Sequence, residues 1–570
     1  MVDVNSDLSL TTFTGNDIGA IEDLLASLDN KLIPVFRTQQ ADTAEALAQK
    51  LHDINFPDAY ILSNKEALLA AKEVNFNFYG ILDMSNDTDK ITEEKLAEIR
   101  SDVNSSNCKT VLLPEAYAQK EYIQFLQKGT ISIWLDSTAE ETATACRLLA
   151  CGANGYATNN PANLTSAMEY FSDDAMLRKT LVIGHRGIPS IAPENTVEGA
   201  IKAYENGADI LEIDVYVTKD NEVVVMHDGD ISRTTTGSGN IEAYTLEQLK
   251  EFYANKQFPN NPEFAQCRIP TLREFFEEFK DTDMGFFIEI KTGKANCLPL
   301  IKQLIEEYAD YNLESRCTVI SFYMNQLQNS RREMPGVSAS FLCGGLITDE
   351  SLYTAIYGVT NQLLPDNVTF STSYNNVGAE SIEALALRGI TTWPWTFESI
   401  SQYYSFFKTN AGGLTTNYCN WSKDFAHTLN VPEQNCQLGL NQSITAQGTL
   451  TTYARNTLEL PENTELVIIS GEDVIKADGL NITGLKEGTA SYMLKTSFTN
   501  RGGLNYTLYS QPVTVSVSEN VITGQSPAAS HAPETPGANE ALPYIMGACA
   551  LIIIAAAIIV PVTLKRRKNK

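Results

Sequence analysis

The sequence predicts an α/β protein built mainly from parallel β-sheets. From about residue 31 to 171, short β-rich runs such as "LIPVFRT" and "DAYILS" alternate with helical patterns. The same rhythm returns over 179–430, with "LVIGHRG", "ILEIDVYV", "FFIEIKT" and "GGLTTN". Strands that alternate with helices favour parallel βα units, and eight such units close a barrel in roughly 250 residues. We therefore predict a TIM (β/α)8 barrel over 179–430.

The region before the barrel resembles its last part. "GTISIWLDSTAEETATACRLLACGANGYATNNP" parallels "GITTWPWTFESISQYYSFFKTNAGGLTTNYCNW": each has a Trp-bearing strand, a helix and a Gly-x-x-Thr-Asn strand. We therefore expect residues 1–178 to be a partial, degenerate barrel of the same type, which the chain enters near its fourth strand. A shared βα rhythm without duplication is the alternative.

The C-terminal part changes character. Short alternating runs predict a small β-sandwich over 431–518, where "ITGLKEGTASYML" resembles bacterial immunoglobulin-like modules. Pro, Ala, Ser and Gly mark 519–542 as a flexible linker. Residues 543–564 are apolar enough to predict a transmembrane helix, and the basic tail 565–570 is then cytoplasmic.

This layout predicts a single-pass protein of the cell membrane with an extracellular catalytic region. A buried core helix is the alternative interpretation of the apolar run, and no LPxTG cell-wall sorting motif precedes it. "MVDVNSDLSLTTF" shows no export signal, so we expect either a missing start or insertion by the C-terminal helix alone.

The overall charge restricts the partners. A formal net charge of -28 argues against nucleic acid. It also repels any anionic substrate, which would need a local cluster of cations. The ten cysteines follow neither a metal-ligand spacing nor a recognisable disulfide pattern.

Two predicted strands carry paired charged residues. In "LEIDV", Glu212 and Asp214 are two apart, so both side chains point to one face of the strand. Two adjacent carboxylates are costly unless a cation bridges them, and a hard divalent ion suits oxygen ligands. In "FFIEIKT", Glu289 could add a third oxygen and Lys291 a positive charge for a phosphate. The alternative for Glu212 and Asp214 is a pair of surface acids, and the alternative for Glu289 and Lys291 is a simple salt bridge.

Two of the five histidines end predicted strands, His185 in "LVIGHRG" and His227 in "EVVVMHD". Barrel active sites lie at this end of the strands, and two histidines can serve as general base and general acid. A divalent ion, Arg186 and Lys291 would gather negative charge while the histidines move protons. This combination favours cleavage of a phosphodiester.

The ordered motifs resemble the glycerophosphodiester phosphodiesterase family. "GHRGIPSIAPENT", "LEIDV", "MHDGD", "IPTLREFF" and "FFIEIK" carry the resemblance, which covers roughly 179–430. It implies a TIM-barrel hydrolase that releases glycerol 3-phosphate and an alcohol, with a segment between "HDGDISRTTTGSG" and "IPTL" that shapes the glycerol side of the site.

The resemblance also implies residue roles. Matched motif by motif, His185 and His227 would be the acid–base pair, and Glu212, Asp214 and Glu289 would bind calcium or magnesium. Arg186 and Lys291, the latter on the fourth strand, would bind the phosphate. Trp395, on the seventh strand, would border the substrate. Trp393 competes with Trp395 for its role. The preferred alcohol, the metal and the division of labour between the histidines stay open.

The first region has no such set. Its strand "LIPVFRT" aligns with "FFIEIKT" and places Val35 and Arg37 where Glu289 and Lys291 stand. We expect it to have a structural or binding role. Two alternative functions for the whole chain are a non-catalytic surface protein that binds glycerophosphate polymers and a phospholipase D-like enzyme acting on intact lipid.

Overall fold

Two large, mostly parallel sheets dominate the structure. The computed structural model describes residues 1–28, 32–294, 296–344, 352–500 and 502–519. The described residues cluster into one unit, Met1–Glu519. The domain boundaries that the sequence predicts after residues 178 and 430 fall inside this unit, so they stay predictions.

The first sheet has the strand order β3-β2-β1-β4-β5-β6-β7-β8-β9. β1 and β4 to β9 run parallel, whereas β1 to β3 pair antiparallel. The strands are β1 (Val2–Val4), β2 (Leu10–Thr11), β3 (Asp17–Gly19), β4 (Val35–Arg37), β5 (Tyr60–Ser63), β6 (Tyr79–Asp83), β7 (Thr110–Pro114), β8 (Ser132–Asp136) and β9 (Gly155–Ala157).

Helices connect the strands of this sheet. α3 and α4 begin at polar caps, where the Asn64 side chain accepts a hydrogen bond from Ala67 N and the Thr92 side chain accepts one from Lys95 N. The helices are α1 (Ile21–Leu28), α2 (Ala41–Asp53), α3 (Lys65–Val74), α4 (Glu93–Ser105), α5 (Lys120–Lys128), α6 (Thr142–Ala150) and α7 (Pro161–Ala167). Short 3-10 helices lie at Glu115–Tyr117 and Met168–Tyr170.

The second sheet is a nearly closed parallel barrel with the order β17-β16-β15-β14-β13-β11-β10-β18. Gly412 N donates to Thr392 O at 2.9 Å and Phe397 N to Thr415 O at 2.8 Å, which brings β17 against β18. The strands are β10 (Leu181–His185), β11 (Ile210–Val217), β12 (Val223–Val225), β13 (Gly285–Ile290), β14 (Cys317–Ser321), β15 (Ser338–Cys343), β16 (Thr369–Ser373), β17 (Thr392–Trp395) and β18 (Gly413–Thr416).

The barrel strands alternate with helices, as the sequence predicts. Thr271 and Glu274 form a capping box that starts α10, and the buried Phe275, Phe276 and Phe279 face the core. The helices are α8 (Val197–Glu205), α9 (Leu246–Leu249), α10 (Leu272–Phe279), α11 (Cys297–Glu307), α12 (Leu313–Arg316), α13 (Met324–Glu333), α14 (Leu352–Leu363), α15 (Ala379–Ala386) and α16 (Ile400–Phe406). Short 3-10 helices are Ile241–Ala243, Pro262–Phe264, Ala309–Tyr311, Leu364–Asp366, Tyr374–Asn376 and Cys419–Trp421.

The strand order corrects two details of the sequence interpretation. β12 pairs antiparallel with β11, off the barrel path, so β13 is the third barrel strand and not the fourth. In the first sheet, β1 pairs β4 in parallel and β2 antiparallel, as β11 pairs β13 and β12. The first sheet therefore holds a positional counterpart of the second barrel strand, before the strand at which we expected the chain to enter.

The two faces of the first sheet belong to different cores. Ile61 and Val111 pack with the helices of their own sheet. Their neighbours in sequence, Tyr60 and Leu112, instead belong to the cluster that contains the barrel of the second sheet and its helices α14 and α15. Successive side chains of a strand point to opposite faces. The inner face of the first sheet is therefore covered by the outside of the barrel.

Polar contacts cross the same seam. The Tyr60 hydroxyl donates to Leu387 O at 2.9 Å. The Arg388 guanidinium donates to both Asp58 oxygens, at 2.8 and 2.6 Å. Lys109 Nζ donates to Ser338 Oγ at 3.0 Å. These contacts fix the first sheet against the side and base of the barrel, away from the carboxyl ends of the barrel strands.

The strand-rich C-terminal part forms three small sheets, with the orders β19-β22-β23, β20-β29-β27-β24 with β28 beside β27, and β21-β26-β25. An immunoglobulin-like sandwich stays a prediction for this part. The strands are β19 (Ala426–Asn430), β20 (Asn435–Gly439), β21 (Ser443–Thr445), β22 (Thr449–Thr452), β23 (Thr457–Glu459), β24 (Glu465–Ser470), β25 (Ile475–Asp478), β26 (Asn481–Gly484), β27 (Gly488–Thr499), β28 (Asn505–Tyr509) and β29 (Val513–Ser518).

The predicted membrane location is corrected. Over the described ranges, none of the helices is both long and apolar enough to cross a membrane. The linker at 520–542, the apolar run at 543–564 and the tail at 565–570 lie outside the described residues. The single-pass topology, with an extracellular catalytic region and a cytoplasmic tail, is therefore withdrawn. It rested on the hydropathy of that run and on the basic residues that follow it.

Candidate active site

A cavity of about 180 Å³ opens at the carboxyl ends of the barrel strands. It brings together side chains from β10, β11, β13, β14, β15, β16, β17 and β18 and from the segment after β12. Its lining is His185, Arg186, Glu212, His227, Phe287, Glu289, Lys291, Ile320, Phe322, Leu342, Ser371, Trp395, Thr396 and Thr415.

Three buried carboxylates form the floor of the site. Glu212 and Asp214 project from one face of β11, and Glu289 of β13 is paired in register with Asp214. Each is less than a tenth exposed, at 5%, 0% and 7% respectively. One oxygen from each lies within 4.8 Å of the others. Parallel pairing thus places three potential oxygen ligands around one point, as the sequence predicts.

The three carboxyls do not share the same acidity. Burial, together with the charges of Asp214 and Glu289, raises the pKa of Glu212 well above its ordinary value. Burial and Asp214 raise the pKa of Glu289 to about 7. Burial alone would raise the pKa of Asp214 too, but Lys291 and Arg186 outweigh it and lower that pKa. Asp214 is therefore the carboxylate that the site's cations keep ionised.

Two cations border the carboxylates. Lys291, the residue after β13, places Nζ 2.7 Å from Glu289 Oε1 and 3.3 Å from Asp214 Oδ1. Arg186 places Nε 3.6 Å from Asp214 Oδ2. Both cations line the cavity. They provide the local positive charge that an anionic substrate of this acidic chain requires.

An unusual backbone turn aims Arg186 into the site. Arg186 has φ 55°, in the left-handed region that a side chain with a Cβ seldom adopts. Its N–H donates to Glu212 O at 2.9 Å and lies 3.1 Å from Glu212 Oε2. The next residue, Gly187, has φ 88°, and a Cβ there would lie 3.0 Å from the carbonyl of Gly199. The conformation is held by β11 and by the close approach of α8.

Each histidine is held through Nδ1. His185 Nδ1 lies 2.7 Å from Asn417 Oδ1, and His227 Nδ1 lies 2.7 Å from Asp228 Oδ1. Amide and carboxylate oxygens accept, so both bonds place a hydrogen on Nδ1 and leave Nε2 for the cavity. Burial lowers the pKa of His185 to about 4. Burial also lowers the pKa of His227, although Asp214 and Asp228 oppose the shift.

An aromatic wall faces the charged side. Phe322 and Trp395 make an edge-to-face pair with ring centroids 5.8 Å apart, and both line the cavity. Trp393, the competing choice from the sequence, is 1% exposed and packs on Phe287 at 5.2 Å. Residues two apart share a face of a strand, so both tryptophans of β17 point into the barrel. Trp395, at the carboxyl end of the strand, is the one that lines the cavity.

The structure thus gathers all eight predicted site residues, and their roles stay predictions. Sequence reasoning missed several polar neighbours, which are Glu194, Asn195, Asp228, Arg233 and Asn417. Asn195 Nδ2 donates to Asp214 Oδ2 at 2.8 Å. Glu194 and Asn195 belong to "PENT", directly after the first histidine motif, and Asn417 follows the last barrel strand. Their positions beside strand ends were the signal available.

These features define a phosphodiester hydrolase with a TIM-type barrel, and the comparisons with known proteins agree. Residues 185–420 match the model of the glycerophosphoryl diester phosphodiesterase family. The glycerophosphodiester phosphodiesterase of Caldanaerobacter subterraneus subsp. tengcongensis is 35% identical over 240 residues, 42% of this chain and 94% of that relative. The glycerophosphodiester phosphodiesterase of Bacillus altitudinis is 30% identical over 175 residues, 30% of this chain and 71% of that relative.

The chain belongs to the glycerophosphodiester phosphodiesterase family and is a phosphoric diester hydrolase. Among solved structures, it is similar to a phosphodiesterase of Oleispira antarctica in complex with the product sn-glycerol-3-phosphate, with a TM-score of 0.39 and 22% identity. That similarity covers 42% of this chain and 94% of the other.

Proposed function

We propose that this chain hydrolyses glycerophosphodiesters to glycerol 3-phosphate and an alcohol, with a divalent metal and a histidine pair. One observation carries the proposal. A cavity at the carboxyl ends of the barrel strands is lined by two cations, two histidines and two buried carboxylates, and a third buried carboxylate, Asp214, adjoins them. Phosphodiester cleavage needs charge stabilisation on the non-bridging oxygens and proton transfer at the attacking and leaving oxygens.

The carboxylate cluster fits a hard divalent ion such as Ca²⁺ or Mg²⁺. All three donors are oxygens, which both ions prefer. Asp214 is fully buried, and its Oδ1 has the ion pair with Lys291 Nζ at 3.3 Å but no hydrogen bond from the described residues. Glu212, Asp214 and Glu289 would hold the ion. When bound, it would supply Lewis-acid stabilisation of phosphate charge.

Arg186 and Lys291 would bind the phosphate. Both now contact Asp214, whose negative charge keeps them near the floor of the cavity. Charge-assisted hydrogen bonds from guanidinium and ammonium groups are stronger than neutral ones. These contacts keep both cations beside the carboxylate cluster.

The histidines would act through Nε2. With Nδ1 fixed by Asn417 or Asp228, each neutral ring offers a lone pair on its other nitrogen. One histidine deprotonates the nucleophile, which is a neighbouring glycerol hydroxyl or water, and the other protonates the departing alkoxide. Asn417 directly follows β18, which pairs with β10, and Asp228 is the residue after His227 in the loop that follows β12, so the fold orients both rings.

The first sheet supports the further proposal that residues 1–178 are a degenerate copy of the barrel. Its order β2-β1-β4-β5-β6-β7-β8 corresponds to β12-β11-β13-β14-β15-β16-β17 of the barrel sheet. β9 then corresponds to β18, which two backbone hydrogen bonds bring against β17. β10, which joins β11 to β18, has no counterpart among the described strands of the first sheet. β10 ends in His185, so this sheet contributes no equivalent of that histidine. A structural role fits it best.

An assay of the purified full chain tests the function. Glycerophosphocholine and related diesters are incubated with Ca²⁺, Mg²⁺ or EDTA, and glycerol 3-phosphate is measured by a coupled reaction. We expect metal-dependent release, and a loss of at least about 100-fold in His185→Asn and His227→Asn, the range that acid–base groups contribute.

His52→Asn is the matched control, because His52 lies on α2 with a side chain 63% exposed. This control should keep full activity. Release that persists in EDTA would refute the metal requirement. Unchanged turnover in both active-site variants would refute the acid–base assignment.

A further inference from the structure

A buried carboxylate that is not among the proposed catalytic and metal-binding residues connects Arg186 with the side chains around His227. Glu194, in the loop after β10, is 7% exposed. Its Oε1 accepts from Arg186 Nη1 at 3.1 Å and from Arg233 Nη2 at 2.6 Å. Its Oε2 accepts from Arg233 Nη1 at 2.9 Å and from Gln257 Nε2 at 2.8 Å. One side chain thus binds two guanidinium groups and an amide.

One arm of this cluster leads to the phosphate-binding side. Arg186 lines the cavity, and its hydrogen bond to Glu194 is the one its side chain makes with a described residue. Its Nε is buried, lies 3.6 Å from Asp214 and makes no hydrogen bond to a described residue. The direction of the guanidinium therefore depends on Glu194 more than on the carboxylates of the floor.

The other arm leads to a histidine. Arg233 Nε donates to Asp228 Oδ2, while Asp228 Oδ1 lies 2.7 Å from His227 Nδ1. Asp228 thus shares its two oxygens between Arg233 and the imidazole. Because Glu194 holds the other two nitrogens of the Arg233 guanidinium, the planes of these groups are fixed relative to each other.

A third contact joins the segment between β12 and β13. Gln257 donates to Glu194 Oε2, and its own Oε1 accepts from Glu194 N at 3.1 Å. This reciprocal pair ties the segment to the loop after β10. Burial alone would raise the pKa of Glu194, but hydrogen bonds from Arg233 and the charge of Arg186 lower it. The carboxylate therefore stays ionised in the folded chain.

We propose that Glu194 is a positioning residue that orients Arg186 toward the phosphate and, through Arg233 and Asp228, orients His227 for proton transfer. The proposal rests on the proposed function of the same site. Glu194 itself contacts no reacting atom. Its effect is to hold a binding group and a proton-transfer group, which come from different loops, in one relative geometry.

Two variants test the contact to Arg186 and the contacts to His227 separately. Glu194→Gln keeps the shape but removes the charge and places an amide N–H against a guanidinium. We expect a higher KM and a lower kcat, and a combined fall of about 10- to 100-fold in kcat/KM, as for other groups that orient site residues. Arg233→Met leaves the Arg186–Glu194 contact in place. We expect it to lower kcat much more than it raises KM.

Conservative and control variants complete the series. Glu194→Asp keeps a carboxylate and should recover part of the loss. Glu263→Gln removes a carboxylate of the same segment that pairs with Lys202 at 2.8 Å, outside the cluster, and should match the unaltered chain. If Glu194→Gln does not fold, the kcat and KM of Glu194→Asp and Arg233→Met test the proposal instead. In the double variant Glu194→Gln/Arg233→Met, the loss should be smaller than the product of the single losses.

The proposal is overturned if Glu194→Gln stays within about twofold of the unaltered chain in both kcat and KM, or if the double variant shows fully multiplicative losses. If the unaltered chain releases no glycerol 3-phosphate, the proposed function fails on its own. Calorimetric binding of inorganic phosphate then tests the Arg186 arm. A dissociation constant weakened about tenfold in Glu194→Gln supports positioning, and an unchanged one refutes it.

Discussion

Lys109 allows the seam between the first sheet and the barrel to be tested by pH. The residue precedes β7 and is 8% exposed. Its Nζ donates to Asn104 Oδ1 at 2.7 Å and to Ser338 Oγ at 3.0 Å, and both acceptors are neutral. Burial lowers the pKa of Lys109 from 10.5 to about 7. The perturbation is Lys109→Met, which has a similar length and cannot be protonated.

The magnitude follows from the shift. A pKa difference from 10.5 to about 7 corresponds to about 5 kcal/mol, because each pH unit is worth about 1.4 kcal/mol. The unfolded chain keeps the Lys109 proton up to about pH 10, whereas the folded chain releases it near pH 7. Between these values the unfolded state binds more protons, so the free energy of unfolding rises with pH. Well below pH 7, Lys109 is protonated in both states, and its contribution to the free energy of unfolding is constant and at its lowest.

The assay is urea unfolding followed by tryptophan fluorescence at constant ionic strength. From pH 7 to pH 9, the stability of the unaltered chain should rise by about 2 to 3 kcal/mol relative to Lys109→Met. Burial raises the pKa of the neighbouring Cys108 to about 11, so that thiol stays protonated in the folded chain. Its titration in the unfolded chain is common to both proteins and cancels in the comparison. Lys486→Met is the control, because Lys486 is 67% exposed. An equal difference at both pH values would refute a neutral buried Lys109.

Other predictions concern the seam, the core and the metal. Asp58 and Arg388 form an ion pair with two hydrogen bonds, and their side chains are 16% and 12% exposed. Asp58→Asn breaks this pair and should lower the free energy of unfolding by about 3 kcal/mol. An unchanged urea midpoint would contradict this. Phe276→Ala leaves a cavity beside Phe286 and should lower the free energy of unfolding by about 3 to 5 kcal/mol, measured in the same way. Glu289→Gln should weaken Ca²⁺ binding at least tenfold by calorimetry, about the loss expected when a ligand shell is damaged; equal affinity would remove Glu289 from the metal site.

Much of the barrel and its cavity could be predicted because short-range patterns determine them. The period of two places Glu212 and Asp214 on one face of β11, and parallel pairing brings Glu289 beside them. The end of β10 carries His185 to the same edge of the barrel. Each of these placements depends only on strand direction and on the side to which alternate residues point.

The contacts that the sequence did not reveal depend on loops and register between distant segments. Asn417 reaches His185 across 232 positions, and Gln257 reaches Glu194 across 63. No local period encodes these distances. The place of β12 was missed for a related reason, since an apolar "VVV" fits an antiparallel hairpin strand as well as a barrel strand.

The inner face of the first sheet has a consequence for how this chain can be divided. Tyr60 and Leu112 are buried by the catalytic barrel, so a fragment ending near residue 178 would present them to water. The same cut would uncover the barrel side of the seam, where Leu387 and Arg388 contact the first sheet. Because the two sides share one apolar cluster, a cut at this seam exposes apolar surface on both pieces. The sheet and the barrel are therefore best kept in one polypeptide.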